Sequence, residues 1–231
     1  SVIKNESTYE HVKPDTVGNK RRVLVSDLSG KSNVSYKANE KGLDLEKHKQ
    51  KVPHIVDELK KLENDGYQYE AAEASFEILV RRLTGDWQPF FKLKGFRVNI
   101  EQEADFKPRS EATVRVEVNG ETVHSAAEGN GPVNALDCAL RKALHKFYPE
   151  IENTHLTDYK VRVLNEKDGT QAKVRVLIDT ANEKSHWSTI GVSSNIIHAS
   201  WHALADSICY YLASHYHKHD SDAMRQVVEE S

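Results

Sequence analysis

The chain has 231 residues, 38% of them hydrophobic and 29% charged, with a net charge of −3. That size and balance allow one large domain or two modest ones around a real core. They exclude a membrane-spanning helix, since no run approaches the ~18 apolar residues one needs, and the interspersed charges leave no basic footprint for nucleic acid. The opening residues SVIKNESTYE lack the apolar core of a signal peptide. Cys138 and Cys209 fall in helical patterns and read as buried thiols of a cytosolic protein. Residue 1 is serine and the only methionine is Met224, so the chain is expected to begin inside a longer protein or to have been processed.

Residues 1–42 read as irregular, a mixture of turn residues around one short apolar run, Val23–Val25. Asp44 can cap a helix over LEKHKQKV, and Pro53 either kinks that helix or begins a second one, PHIVDELKKLEND. Gly66 closes it. YEAAEASFEILVRRLTG sets Ala72, Phe76, Leu79 or Val80, and Leu83 on one helical face, and Gly85 stops it. DWQPFFKLKG reads as a linker with aromatic anchors, which puts a boundary near residues 86–94.

Beyond that boundary the chain repeats itself. Alternating patterns predict strands over 96–100, 112–118 and 121–127, with a two-residue hairpin turn at Asn119–Gly120. A helix over 132–147 follows, with Val133, Leu136, Leu140, Leu144 and Phe147 on one face. Strands over 159–164, 171–179 and 185–190, a turn at Asp168–Gly169 and a helix over 195–213 run in parallel to the first set. Ala135, Ala139 and Leu140 match Ala199, Ala203 and Leu204 at an offset of 64, and Gly129 matches Gly191 at an offset of 62. The predicted fold is α+β: a segment over 1–42, a helical linker subdomain over 43–90, and a pseudo-twofold domain over 91–214. That domain holds two βββα units, about 95–148 and 158–214, and a polar, frayed tail occupies 215–231. The helix over 195–213 carries one carboxylate, Asp206, and no lysine or arginine. Such a helix is covered on more than one side, and in a domain this small the second cover is expected to be another subunit.

Several stretches invite a chemical reading. SGKSN (29–33) looks like the end of a P-loop, but the glycine that motif needs five residues before Gly30 is Val25. GNGPVN (129–134) looks like the start of a dinucleotide fingerprint, but its third glycine is replaced by Asn134, and Pro132 removes an N–H. The loop still presents N–H groups at a helix start, where the macrodipole favours an anion. A small carboxylate fits that better than a pyrophosphate; alternatively the glycines serve only the turn. In GVSSN (191–195), Ser193, Ser194 and Asn195 are N-cap candidates that can also hydrogen-bond a ligand. His198 and His202 have the spacing of a zinc-binding helix face without a third ligand, and read as interface or core histidines; no metal site is expected. HYHKHD (215–220) could take up metal only adventitiously. There is no G-x-S-x-G, and no self-contained catalytic constellation.

Taken together, YEHVKPDTVGNKRRVLVSDLSGKSN, GYQYEAAEASFEILVRR, AEGNGPVNALDCALRKAL and STIGVSSNIIHASWHALADSI resemble the citramalate synthases of the isopropylmalate/homocitrate synthase family. The first resembles the segment after the catalytic barrel, the second the helical linker, and the last two the halves of the allosteric domain. The resemblance, over about residues 8–213, implies a C-terminal portion of a cytoplasmic acyltransferase. The parent would condense acetyl-CoA with pyruvate to citramalate, a step toward isoleucine. Its TIM barrel and divalent metal are absent from this chain, so the chain alone is expected to be inactive and to hold no cofactor. The resemblance also implies a homodimer that binds isoleucine for feedback inhibition, or leucine if the segment is of isopropylmalate synthase type; a ligand-free dimerisation module is the reading of another class. Carried over by motif, the effector residues are Gly129, Gly131, Pro132, Val133, Asn134 and Asp137, with Ser193, Ser194 and Asn195. Asp137 or a backbone carbonyl would meet the ammonium group. Tyr9 and His11 are expected to act in the partner subunit's active site.

Overall fold

Helix-forming and strand-forming stretches segregate along the chain: among the described residues three helices come first, then two copies of three strands and a helix. The computed structural model describes residues 31–43, 45–104, 106–164, 169 and 171–229. Val23–Val25, Gly30, Asp44 and Asp168 lie outside the described residues. No helix among those described is long and apolar enough to cross a membrane.

The linker subdomain is built from α1 (Lys31–Glu40), α2 (Val52–Asn64) and α3 (Glu73–Thr84), with short 3-10 turns at Leu45–His48 and Tyr69–Ala71. Helix α1 corrects the expectation that 1–42 is irregular throughout. Its buried apolar side chains are Val34 and Ala38, one turn apart, a stripe too thin to register as periodicity. Pro53 sits in the first turn of α2 and begins it. At the end of α3, Gly85 adopts φ 86°, and the Asp86 N–H returns to the Arg81 carbonyl, so the chain turns sharply out of the helix. Ile55, Leu59, Phe76 and Val80 close the core against α1. Glu73 staples α1 to α3 through Lys37 at 3.4 Å and Lys41 at 2.5 Å.

Beyond it, β1 (Lys92–Glu101), β2 (Arg109–Val118) and β3 (Glu121–Gly129) form one antiparallel sheet in that order. β4 (His155–Val163), β5 (Val174–Ala181) and β6 (His186–Ser193) form a second. Helix α4 (Pro132–Leu144) packs on the first sheet and α5 (Ile196–Glu229) on the second. Asn119 and Gly120, at φ 51° and 83°, make the predicted hairpin turn. Sheet register fixes how the two βββα units correspond. Ile100, Ser110 and Gly129 form one row, and Val163, Val174 and Ser193 the equivalent row. The offset is therefore 64 through the second and third strands and the helix, so Gly129 corresponds to Ser193, not to Gly191. The glycines mark where each helix backbone touches its strand. A Cβ on Gly129 would meet the Ala135 nitrogen at 2.4 Å, and one on Gly191 the Ala199 oxygen at 2.0 Å. Ala135 and Ala199 are equivalent, so the two helices touch their strands two residues apart.

Helix α5 finds a second cover inside the chain, where the expectation had been another subunit. One side lies on Val176 and Ile178 of its sheet. Another meets Ser75 and Arg82 of α3, and a third receives Phe91 and Phe96, whose rings lie 6.5 and 5.4 Å from Trp201. The helix also runs on through the predicted frayed tail to Glu229, because no glycine or proline follows Gly191 to stop it. The far face of the second sheet contributes Ile190 and Leu177 to the linker core. The far face of the first sheet, with Arg97, Asn99, Glu111 and Arg115, is exposed.

Two outcomes follow for stability. Gly191→Ala drives a methyl into the α5 backbone and is expected to cost about 2–3 kcal/mol, whereas Gly131→Ala, facing open space, should stay within about 0.5 kcal/mol of wild type; thermal unfolding of both variants checks this. Burial pushes the Glu73 carboxyl up, but Lys41 and then Lys37 pull it further down, below the usual carboxylate range. A depressed carboxyl stabilises the fold fully above its unfolded pKa and loses that contribution as pH falls through the folded value. Urea titrations from about pH 7 to about pH 3 should show a shallower acid limb for Glu73→Gln than for wild type.

Candidate functional site

The two strand-to-helix loops occupy equivalent places and differ in how their helix starts are closed. In the second unit, Asn195 Oδ1 accepts from the backbone N–H groups of Ile197 at 2.9 Å and His198 at 3.1 Å. Ser193 Oγ accepts from the Asn195 N–H at 3.1 Å. The two bonds to Asn195 are N-cap bonds that close the start of α5, and Ser193 braces the cap residue. Ser194 is exposed beside them.

In the first unit Gly131 stands at the N-cap with extended backbone, φ −171°, and no side chain caps the helix. Pro132 has no N–H, so the first-turn donors are those of Val133 and Asn134. Asn134 turns back to accept from the Asn130 N–H at 3.0 Å, which pins the glycine loop over the helix start. Gly129, Gly131, Pro132, Val133 and Asn134 thus come together around one uncapped helix end.

Asp137 does not join them. It is 7% exposed, and both carboxylate oxygens receive Arg141 Nε, at 3.0 and 2.9 Å. Arg141 Nη1 donates on to the carbonyls of Ile151 and Thr154, each at 3.0 Å. Burial raises the Asp137 carboxyl above its ordinary range against the opposing pull of Arg141. The pair is a clamp between α4 and the 3-10 turn at Pro149–Asn153, and the carboxylate has no free face for an ammonium group. The spacing that betrays it, an aspartate four residues before an arginine on a helix, is present in the sequence.

Carboxylates gather elsewhere, on the face of the first sheet away from α4. Along the row that holds Gly129, a cleft of about 530 Å³ opens over the ends of β1, β2 and β3. Val98 and Ile100 line it with Glu101, Arg109, Glu111 and Glu128. Periodicity could not find this group, because the three glutamates come from three strands.

The histidine pair is on the surface. His198 and His202 are both exposed, their rings 4.5 Å apart edge to face, and His198 Nδ1 lies 3.3 Å from Ser193 Oγ. That removes the core reading. Among the described residues no group of three or more His, Cys, Asp or Glu side chains is placed to hold a metal ion. Tyr9 and His11 lie outside the described residues.

Apolar surface is left open on both edge strands. On the helix side of β4, Tyr159, Val161 and Val163 are 37%, 41% and 44% exposed, beside Ile196 at 42%. In the first unit Ile100 and Phe106 are exposed still further.

Comparison with known proteins accounts for this architecture. Residues 1–67 match the homocitrate synthase post-HMGL domain-like family, and residues 70–212 match the LeuA allosteric (dimerisation) domain. The chain is 50% identical over 213 residues to an (R)-citramalate synthase of Aquifex aeolicus (strain VF5). It is 51% identical over 213 residues to one of Geobacter sulfurreducens (strain ATCC 51573 / DSM 12127 / PCA), and 49% identical over 216 residues to one of Synechocystis sp. (strain ATCC 27184 / PCC 6803 / Kazusa). Each match covers 92% of this chain and 40% of the relative, so the chain spans about 40% of the length of these curated relatives. More than half of its residues fall in the one match, and the chain belongs to the family of the LeuA allosteric (dimerisation) domain.

Proposed function

We propose that this chain is the regulatory, dimerising segment of an (R)-citramalate synthase, and that it binds isoleucine for feedback inhibition. The parent would be a cytoplasmic acyltransferase that joins acetyl-CoA to pyruvate, with Tyr9 and His11 reaching the partner subunit's active site. The observation that carries the sensing role is the difference between the two helix starts. Asn195, braced by Ser193, closes α5, while α4 presents the N–H groups of Val133 and Asn134 uncapped. A carboxylate there would complete the cap and meet the positive end of the helix dipole. At the end of the first sheet Val98 and Ile100 face the helix side and suit a branched aliphatic tail, while a backbone carbonyl of the loop would meet the ammonium group. Asp137, which Arg141 already holds, does not take that part. Ser193 and Asn195 serve the helix start in this reading and not as effector contacts.

The uncovered strip on β4 supports the homodimer. Tyr159, Val161 and Val163 on the edge strand β4, with Ile196 at the start of α5, are exposed apolar side chains that a second copy would shield from water.

Isothermal titration of the chain with isoleucine, leucine, valine and alanine tests the effector. Selective micromolar binding of isoleucine is expected, and Asn134→Ala, which frees the loop, should weaken it about tenfold without unfolding the protein. A preference for leucine would move the segment to isopropylmalate synthase, and no binding by any of the four would leave a dimerisation module. For the interface, Val161→Glu is expected to convert a dimer to a monomer in sedimentation equilibrium, because a carboxylate would be buried without a partner. A variant that stays dimeric would place the interface on another face.

A further inference from the structure

Helices α4 and α5 lie on equivalent sheets at equivalent positions, yet they are held down by different forces. In the second unit hydrogen bonds run from sheet to helix. Thr189 donates to the Ala203 carbonyl at 2.8 Å, the hydroxyls of Thr180 and Ser207 lie 2.7 Å apart, and Trp187 Nε1 donates to Ser207 Oγ at 2.9 Å. The Tyr159 hydroxyl lies 2.9 Å from Ser200 Oγ, which also reaches the Ile196 carbonyl at 2.7 Å. The register places Ser125, Val116, Ala143, Val123, Phe96 and Leu136 at the corresponding sites of the first unit. Five of these six cannot hydrogen-bond through their side chains. The sixth, Ser125, has its hydroxyl buried with no partner.

The linker deepens the contrast, because these bonds fasten it to the second unit. Ser75 Oγ accepts from the Ile190 N–H at 3.0 Å, and Arg82 meets Asp206 at 2.7 Å. Arg175 donates to the Gly66 carbonyl at 2.5 Å and to Gln68 at 2.7 Å, and Lys173 meets Asp65 at 3.0 Å. Ties on α4 are of another kind. Arg141 fixes its C-terminal half to the turn that follows, and the side-chain bonds toward its sheet are exposed: Lys142 to the Ala126 carbonyl at 3.2 Å and, just past the helix, Lys146 to Glu121 at 2.8 Å.

Directional bonds select one register, since a shift of about an ångström breaks them together. Apolar packing has no such preference and tolerates a small slide or rotation at lower cost. We infer that α4 is the movable helix of this domain, while α5, its sheet and the linker subdomain move as one body. The inference stands on the two packing interfaces; that an effector acts by capping and displacing α4 rests on the sensing function proposed above.

Hydrogen exchange of the ligand-free 231-residue chain, read by mass spectrometry with peptide resolution, tests it. Amides of α4 should exchange at least about tenfold faster than those of residues 199–212 in α5. Equal or greater protection of α4 would overturn the inference. A second arm transplants the missing bond. Val116→Thr with Ala143→Ser recreates the Thr180–Ser207 pair and should slow exchange of α4 about tenfold while leaving α5 unchanged. A folded double variant with unaltered α4 exchange would also overturn it, and if that variant does not fold, the wild-type comparison decides alone. Isoleucine added to wild type should slow exchange first in α4. If exchange does not respond to isoleucine at all, the sensing function falls and the contrast between the two helices stands.

Discussion

A helix without a charged face has to be wrapped, and the wrapping of α5 is the constraint on which the rest of this structure depends. From Ile196 to Ala213 its one formal charge is Asp206. Trp201, Leu204, Ile208 and Leu212 are all nearly inaccessible, each contributing about 1.5–3 kcal/mol by leaving water. No single sheet can cover that much circumference. The second sheet takes one side, α3 another, and the aromatic segment that leads into the first sheet a third. The linker, the first unit and the second unit are thereby assembled around one cylinder. Asp206 is tolerated there because Ser75 and Arg82 supply its partners; burial still raises its carboxyl against their pull.

Much of this was legible in the sequence, and what was not has a common cause. Alternation and the Asn119–Gly120 turn located the strands, because both signals are local. The repeat showed itself in Ala135, Ala139 and Leu140 for the same reason. The cover that the chain itself gives α5 was not legible because Phe96 and Trp201 are 105 residues apart in the sequence, and nothing local says that an aromatic strand and an aromatic helix will meet. The glycine match failed for a subtler reason. A close-approach glycine records where a helix lands on its strand, not which repeat position it occupies, so Gly129 and Gly191 mark two different landings.

At the site the residue types suit an anion, but their order alone does not say which helix start stays open. Ser193, Ser194 and Asn195 offer more hydrogen-bonding side chains than Gly129, Gly131 and Pro132. Two of them, Ser193 and Asn195, turn onto their own backbone and are used there. A loop of glycine and proline cannot satisfy its own helix. Poverty in side chains is what leaves the donors of α4 available.

Duplication of a βββα unit explains how one chain can hold a fixed part and a responsive part without two folds. Two copies supply the same scaffold, and a few side chains then set each to a different stiffness. Threonine, serine and tryptophan bolt α5 to its sheet, where valine and alanine leave α4 resting on apolar contact. A sensor benefits from that division, because a ligand shifts an equilibrium only to the extent that it distinguishes two states. A rigid helix offers one state; a helix held by packing alone offers neighbours close in energy. On the proposed movement of α4, the linker fastened to the second unit would serve as its reference, with the first sheet and the aromatic contact of Phe96 with Trp201 between them.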